Sequence, residues 1–151
     1  MIYAASIGYT YMAMVLIAID RLTKIYALGN CVSECVINAY LSFELSINRG
    51  ISWGILHSPH PIIFTFVSSA IAVMTLFLAW YAYRHYAKGR PIIGYTCIVA
   101  GSCANLIDRV LYGGVVDFII VSYGNYSWPV FNIADMAIVI GVFLVLAIDE
   151  R

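Results

Sequence analysis

A chain of 151 residues that is 63% hydrophobic and 11% charged is not composed like a soluble domain, which is about 45–50% apolar and about 25% charged. A chain this short leaves roughly a third of its unfolded surface exposed after folding, so the apolar excess must face lipid. Eight basic and eight acidic residues cancel, and the absence of any basic stripe excludes a nucleic-acid binder.

In chain order, the first element is an apolar run over 2–19. It lacks a basic leader and a small-x-small cleavage site, so it reads as a permanent span. Asp20, Arg21 and Lys24 follow it. Cys31 and Cys35 flank Glu34; they read as small structural side chains, with a disulfide or half of a metal site as the alternative. Leu41 to Asn48 alternates apolar and polar residues, the pattern of a strand with one wet face. Arg49-Gly50 is a turn signal, after which Ile51-Ser52-Trp53-Gly54-Ile55 can return as a second strand. A second apolar run covers 62–83. The turn Arg84 to Arg90 is short and basic, which suits a cytoplasmic loop. A third run covers 91–107, with Pro91 at a suitable helix start and Cys97 and Cys103 as buried small hydrophobes. Val115 to Trp128 is β-branched and aromatic, with a turn at Tyr123-Gly124-Asn125. The last run, 131–148, is broken only by Asp135.

About 20 apolar residues cross a bilayer as a helix, and only helices and closed barrels satisfy backbone groups in lipid. The expected fold is therefore an all-α membrane protein: one integral domain, 1–151, of four transmembrane helices with a small β-sheet on the face that carries segments 20–61 and 108–130, the face the basic turn leaves as extracytoplasmic. Lys/Arg counting does not orient it: Arg84, Lys88, Arg90 and Arg151 on one side balance Arg21, Lys24, Arg49 and Arg109 on the other. Trp53, Trp80 and Trp128 read as interface anchors, and Asp149 as a solvated end charge.

Polar residues near hydrocarbon are costly and mark function, and here they gather at one end of the spans. Asn105 and Asp108, like Asn132 and Asp135, are three apart and share a helix face; Asn105 and Arg109 are four apart. Asp117 sits in an apolar setting between Val116 and Phe118. Two carboxylates in a low-dielectric site do not both ionise easily, and a pair that shares a proton can activate water and protonate a carbonyl. Two other readings stay open. Single aspartates at helix ends serve as caps or dipole partners, and Asp108 beside Arg109 can be a structural ion pair. The whole cluster can also be a proton or cation site in a non-enzymatic membrane transporter or ion-binding module.

The order of the polar boxes resembles the lipoprotein signal peptidases (signal peptidase II) over nearly the whole chain. The boxes are Asp20-Arg21-Leu22-Thr23-Lys24, Asn48-Arg49-Gly50-Ile51-Ser52-Trp53-Gly54, Asn105-Leu106-Ile107-Asp108-Arg109, Val115-Val116-Asp117-Phe118 and Phe131-Asn132-Ile133-Ala134-Asp135. The resemblance implies an aspartic endopeptidase with Asp117 and Asp135 as its catalytic pair and no metal or cofactor. Asn105, Asp108, Arg109, Asn132 and Ala134 would shape the site, and Asp20, Lys24, Asn48 and Gly50 would support it. The implied substrate is a prolipoprotein whose lipobox cysteine carries diacylglyceryl, cut just before that cysteine, with membrane lipid forming part of the binding site. The resemblance also implies a multi-pass protein of the bacterial cytoplasmic (inner) membrane, termini in the cytoplasm and site at the outer leaflet, sensitive to globomycin-type inhibitors. The polar cluster needs no second chain, so a monomer is expected. Departures from the family pattern are Ala104 for glycine, Ala100-Gly101-Ser102 for Gly-Gly-Ala, Arg21 for the common glutamine, and Met136 for a small residue.

Overall fold

The computed structural model describes residues 2–50 and 60–149, without the side chains of 2–5 and 149. The expected second strand at 51–55 and the anchor role of Trp53 lie outside the described residues. Four helices, α1 (Ile2–Asn30), α2 (Pro61–Ala87), α3 (Ile93–Tyr112) and α4 (Ile133–Asp149), carry four strands, β1 (Cys35–Asn38), β2 (Leu41–Asn48), β3 (Val115–Tyr123) and β4 (Tyr126–Ser127).

The helices outrun the apolar runs. α1 continues past Ile19 to Asn30, and α3 continues past Ile107 to Tyr112, so Asp20, Lys24, Asp108 and Arg109 ride on helices rather than in loops. Charge alone therefore does not end these helices; α3 stops at Gly113, whose φ of 66° is the left-handed cap that glycine adopts without strain. Pro61 occupies the first turn of α2, where its missing N–H costs nothing. Pro91 instead precedes the cap residue Ile92 of α3. Among the described residues, α2 alone is both long and apolar enough to cross a bilayer, with mean hydropathy 2.3; Ile133–Ile148 is a shorter apolar stretch.

α3 is the central helix and packs against α1, α2 and α4. Its crossing with α4 depends on small residues. A Cβ placed on Gly101 would lie 2.5 Å from the Ala134 carbonyl oxygen, and one on Gly141 would lie 2.6 Å from the Gly94 carbonyl oxygen. Glycine thus lets the two backbones touch, as small residues do between helices in lipid, and this contact sets where Asp135 stands. Ala104, noted above as a departure, is buried on the same helix.

The sheet is antiparallel in the order β1-β2-β3-β4. The register places Ser46 opposite Asp117 and Asn48 opposite Val115, with a bulge between Phe43 and Ser46 that interrupts the expected alternation. A small core of Ala27, Cys31, Phe118 and Ile119, with Leu41, Phe43, Phe131 and Ile133 around it, joins the end of α1 to the sheet. Cys31 is buried there and Cys35 is exposed on β1; both are free thiols.

Replacing Gly101 with valine forces a side chain into backbone that cannot yield. Overpacking of this kind costs about 1–3 kcal/mol. Thermal unfolding in detergent should show Gly101→Val destabilised by that amount. Gly8→Ala, where nothing lies within 4 Å, should not be destabilised.

Candidate active site

The site forms where the start of α4 meets β3. Phe131 pairs with Ile119 as a single bridge, which delivers the next residue, Asn132, to the helix N-terminus. The Asn132 side-chain oxygen accepts from the Asp135 backbone N–H (2.9 Å), and an Asp135 oxygen accepts in return from the Asn132 N–H (3.3 Å). This reciprocal pair is a capping box, with an aspartate in the place usually held by a longer acid. The next orphan donor of the helix, Ala134 N–H, donates to Asp20 of α1 (2.8 Å).

Because the Asn132 oxygen caps the helix, its amide nitrogen is free to donate elsewhere. It reaches Asp117 (2.6 Å), Asn105 (3.2 Å) and the Val116 carbonyl (3.3 Å). Asp117 also accepts from Asn48 (3.2 Å) on the neighbouring strand. The Asn105 amide nitrogen donates to Asp135 (2.8 Å), and its oxygen accepts from Lys24 (2.9 Å). Asp117 and Asp135 are therefore held by one residue, Asn132, and both face the same cleft of about 250 Å³.

Burial pushes the Asp117 carboxyl up to about 7, and the charge of Asp135 raises it further toward that value; hydrogen bonds from Asn48 and Asn132 and the charge of Lys24 act in the opposite direction. A carboxyl poised there is present both with and without its proton near neutral pH, as general acid–base chemistry requires.

Beneath the pair lies a buried ionic cluster. Lys24 is fully buried and meets Asp20 at 2.8 Å and Asp108 at 2.7 Å. Arg21 closes on Asp108 from the other side, while a second Asp108 oxygen accepts from the Val116 N–H at 3.1 Å. The sequence reading that Asp108 pairs with its neighbour Arg109 is corrected here. Asp108 turns to α1, and Arg109 turns the opposite way, donating from Nη2 to the Gly50 carbonyl, with its guanidinium over the Phe64 ring at 5.8 Å. The Nε and Nη1 groups of Arg109 are buried in the cleft wall without a hydrogen-bond partner among the described residues. Gly50 is itself fixed by donating its N–H to the Asn48 side chain at 2.9 Å.

Every candidate from the sequence thus falls in one connected network. Asp117, Asp135, Asn105, Arg109 and Asn48 line the cleft; Asn132 joins its halves; Asp20, Lys24, Asp108, Gly50 and Ala134 stand one contact behind. The apolar walls were not foreseen: Ile71 from α2, Ile138 from α4, and the loop Pro129, Val130 and Phe131. Trp128, expected as an interface anchor, also lines the rim. Wall residues are chemically ordinary and carry no sequence signal beyond hydrophobicity. Among the described residues no group of three His, Cys, Asp or Glu side chains is arranged to hold a metal ion.

Known proteins similar to this chain are numerous. A family model described as signal peptidase (SPase) II matches residues 12–149. The lipoprotein signal peptidase of Listeria welshimeri is 34% identical over 151 residues, covering 95% of this chain and 95% of that protein. That of Syntrophotalea carbinolica is 34% identical over 145 residues, 92% of this chain and 88% of the other. That of Desulforapulum autotrophicum is 38% identical over 137 residues, covering 85% and 82%. A bacterial membrane enzyme solved by the in meso method superposes with a TM-score of 0.74 at 27% identity, covering 95% of this chain and 88% of that one. With the family's pattern spanning nearly all of its length, this chain belongs to the signal peptidase II family of peptidases.

Proposed function

We propose that the protein is a membrane-embedded aspartic endopeptidase that removes the signal peptide from prolipoproteins, cutting before the diacylglyceryl-modified cysteine. The observation that carries this reading is the meeting of Asp117 and Asp135 in one cleft through Asn132. One carboxyl is ionised and takes a proton from water as the water attacks the scissile carbonyl. The other carboxyl donates its proton to the developing oxyanion; the carboxyl that took the water's proton then delivers it to the leaving amine, and the second carboxyl recovers its own as the carbonyl re-forms. The two unpartnered N–H groups of Arg109 supply donors for a substrate carbonyl oxygen, at a place where a charged donor in a dry site is worth most.

The four helices form a single integral domain with four spans, the cleft at the outer leaflet and both termini in the cytoplasm of a bacterium. α1 at 29 residues and α2 at 27 extend about 40 Å or more, enough to cross a hydrocarbon core of about 30 Å with the polar network at one end. Substrate acyl chains lie against α4, where an apolar groove of about 300 Å³ beside Asp135 is formed with Trp128, Phe131, Met136, Val139 and Ile140. The protein works as a monomer, since the network closes within one chain, and globomycin-type inhibitors compete for the cleft.

Asp117→Asn and Asp135→Asn should each reduce cleavage of a diacylglyceryl-modified precursor at least about 10²-fold, measured by gel shift with purified protein. Turnover near the wild-type rate in either variant would refute the pair. A chelator should leave wild-type cleavage unchanged, whereas inhibition reversed by added metal would point to a different chemistry. The pair must retain one proton, and Asp117 loses its proton as pH rises through about 7. The kcat/KM profile should therefore fall on the alkaline side near that pH. The apparent value belongs to the pair rather than to either residue, and a flat profile from pH 6 to 9 would contradict it.

A further inference from the structure

α1 and α2 both pack on α3, and at the end of the helices remote from the dyad they leave a groove of about 330 Å³ between them. Its two ends differ in chemistry. Ser6, Tyr9 and Tyr86 place hydroxyl-bearing side chains at the end next to the basic turn. Ala13, Ala79 and Val99, about 10 Å along the helices, offer only methyl groups. Tyr9 of α1 and Tyr86 of α2 meet edge to face across the groove, with centroids 6.2 Å apart. The Ile92 N–H donates to the Tyr9 hydroxyl at 3.4 Å, so the start of α3 closes the same end.

The turn that follows Tyr86 carries Lys88 and Arg90 on either side of Gly89, whose φ is 74°. Both cations are exposed, and among the described residues neither forms an ion pair. Arg84, one turn earlier, lies over the Trp80 ring at 5.6 Å, an amphipathic pairing suited to the level of lipid headgroups. The groove thus runs from uncompensated positive charge, past hydroxyls, into an apolar trough, which is the order of chemical groups along a phospholipid.

We propose that this groove binds one anionic glycerophospholipid of the leaflet opposite the dyad, with an acyl chain in the trough and the phosphate on Lys88 and Arg90. The inference rests on the membrane placement given above but not on the chemistry of the dyad. Cations at a membrane surface attract anionic headgroups, and alanines that leave a trough between helices are filled in a bilayer by lipid. The site is separate from the substrate's own lipid, which would lie at the other end of the helices.

Native mass spectrometry of the detergent-purified protein, given equal amounts of dioleoyl phosphatidylglycerol and dioleoyl phosphatidylcholine, tests this. The protein should retain one phosphatidylglycerol with a preference of about tenfold or more. The double variant Lys88→Gln/Arg90→Gln should bind the two lipids equally. The double variant Ala13→Leu/Ala79→Leu should retain neither. Precursor cleavage should persist in both variants, which reports that they are folded, and Asp117→Asn should still bind the lipid. Equal retention of the two lipids by the wild type would overturn the proposal. So would a phosphatidylglycerol preference that survives loss of both charges, or occupancy of the groove by a second copy of the chain seen as a dimer.

Discussion

The structure depends on what the two ends of one buried amide do. Asn132 uses its oxygen to cap α4 and its nitrogen to hold Asp117. Neither task is replaceable by an apolar group: an uncapped helix start loses about 1 kcal/mol, and a buried carboxylate without donors costs far more. The same residue donates its backbone N–H to Asp135. The two acids are therefore held through one fully buried residue, Asn132, by its side chain and its backbone together. The register of β2 on β3 adds Asn48 from one side, and the close approach of α3 at Gly101 adds Asn105 from the other.

Such a site has a cost that must be met nearby. Asp20, Lys24 and Asp108 are almost wholly buried, and buried ion pairs are poor sources of stability because desolvation offsets their attraction. Their value here is positional. Asp20 lies 114 residues from Ala134 in sequence, yet accepts the hydrogen bond that finishes the α4 cap, with Lys24 beside it at 2.8 Å. Asp108 ties the start of β3 to α3 and depends on the same lysine. Arg21, which stands where the family commonly has glutamine, brings Asp108 a second cation and rests over Tyr112 at 6.0 Å. Removing the lysine would leave Asp20 buried without its cation against the start of α4 and leave Asp108 with Arg21 alone, so the ionic cluster is coupled to both α4 and β3.

Much of this was legible in the residues. The apolar runs located four helices, the alternation at 41–48 and the β-branched stretch at 115–128 located the sheet, and the spacing of Asn132 and Asp135 put both on the first turn of α4. The ordered boxes identified the family and rule against the transporter or ion-binding alternative. The helices run on past the apolar stretches through Asp20, Lys24, Asp108 and Arg109, which look like the charges that stop a span. Lys24 pairs with Asp20 on its own helix and with Asp108 on α3, and Arg109 reaches the Gly50 carbonyl; the contacts between elements are invisible locally. The choice of Asp108 for α1 over Arg109 is of the same kind: adjacent residues on a helix point about 100° apart, so proximity in sequence argued against the pair more than for it. Met136 donates its backbone N–H to the Asn132 carbonyl, while the residue is exposed beside Trp128 and Phe131 on the apolar groove.

The central claim is that Asp117 and Asp135 feel one another's charge inside a dry cleft. Infrared titration of the carboxyl band in purified protein, with Asp117→Asn used to assign the Asp117 signal, measures it directly. The account predicts an Asp117 carboxyl that loses its proton near pH 7 in the wild type. In Asp135→Asn it should titrate at lower pH, yet still above the ordinary 3.8 because burial is the larger cause. An Asp117 carboxyl that titrates near 3.8 in the wild type, or whose titration is indifferent to the loss of Asp135, would contradict it.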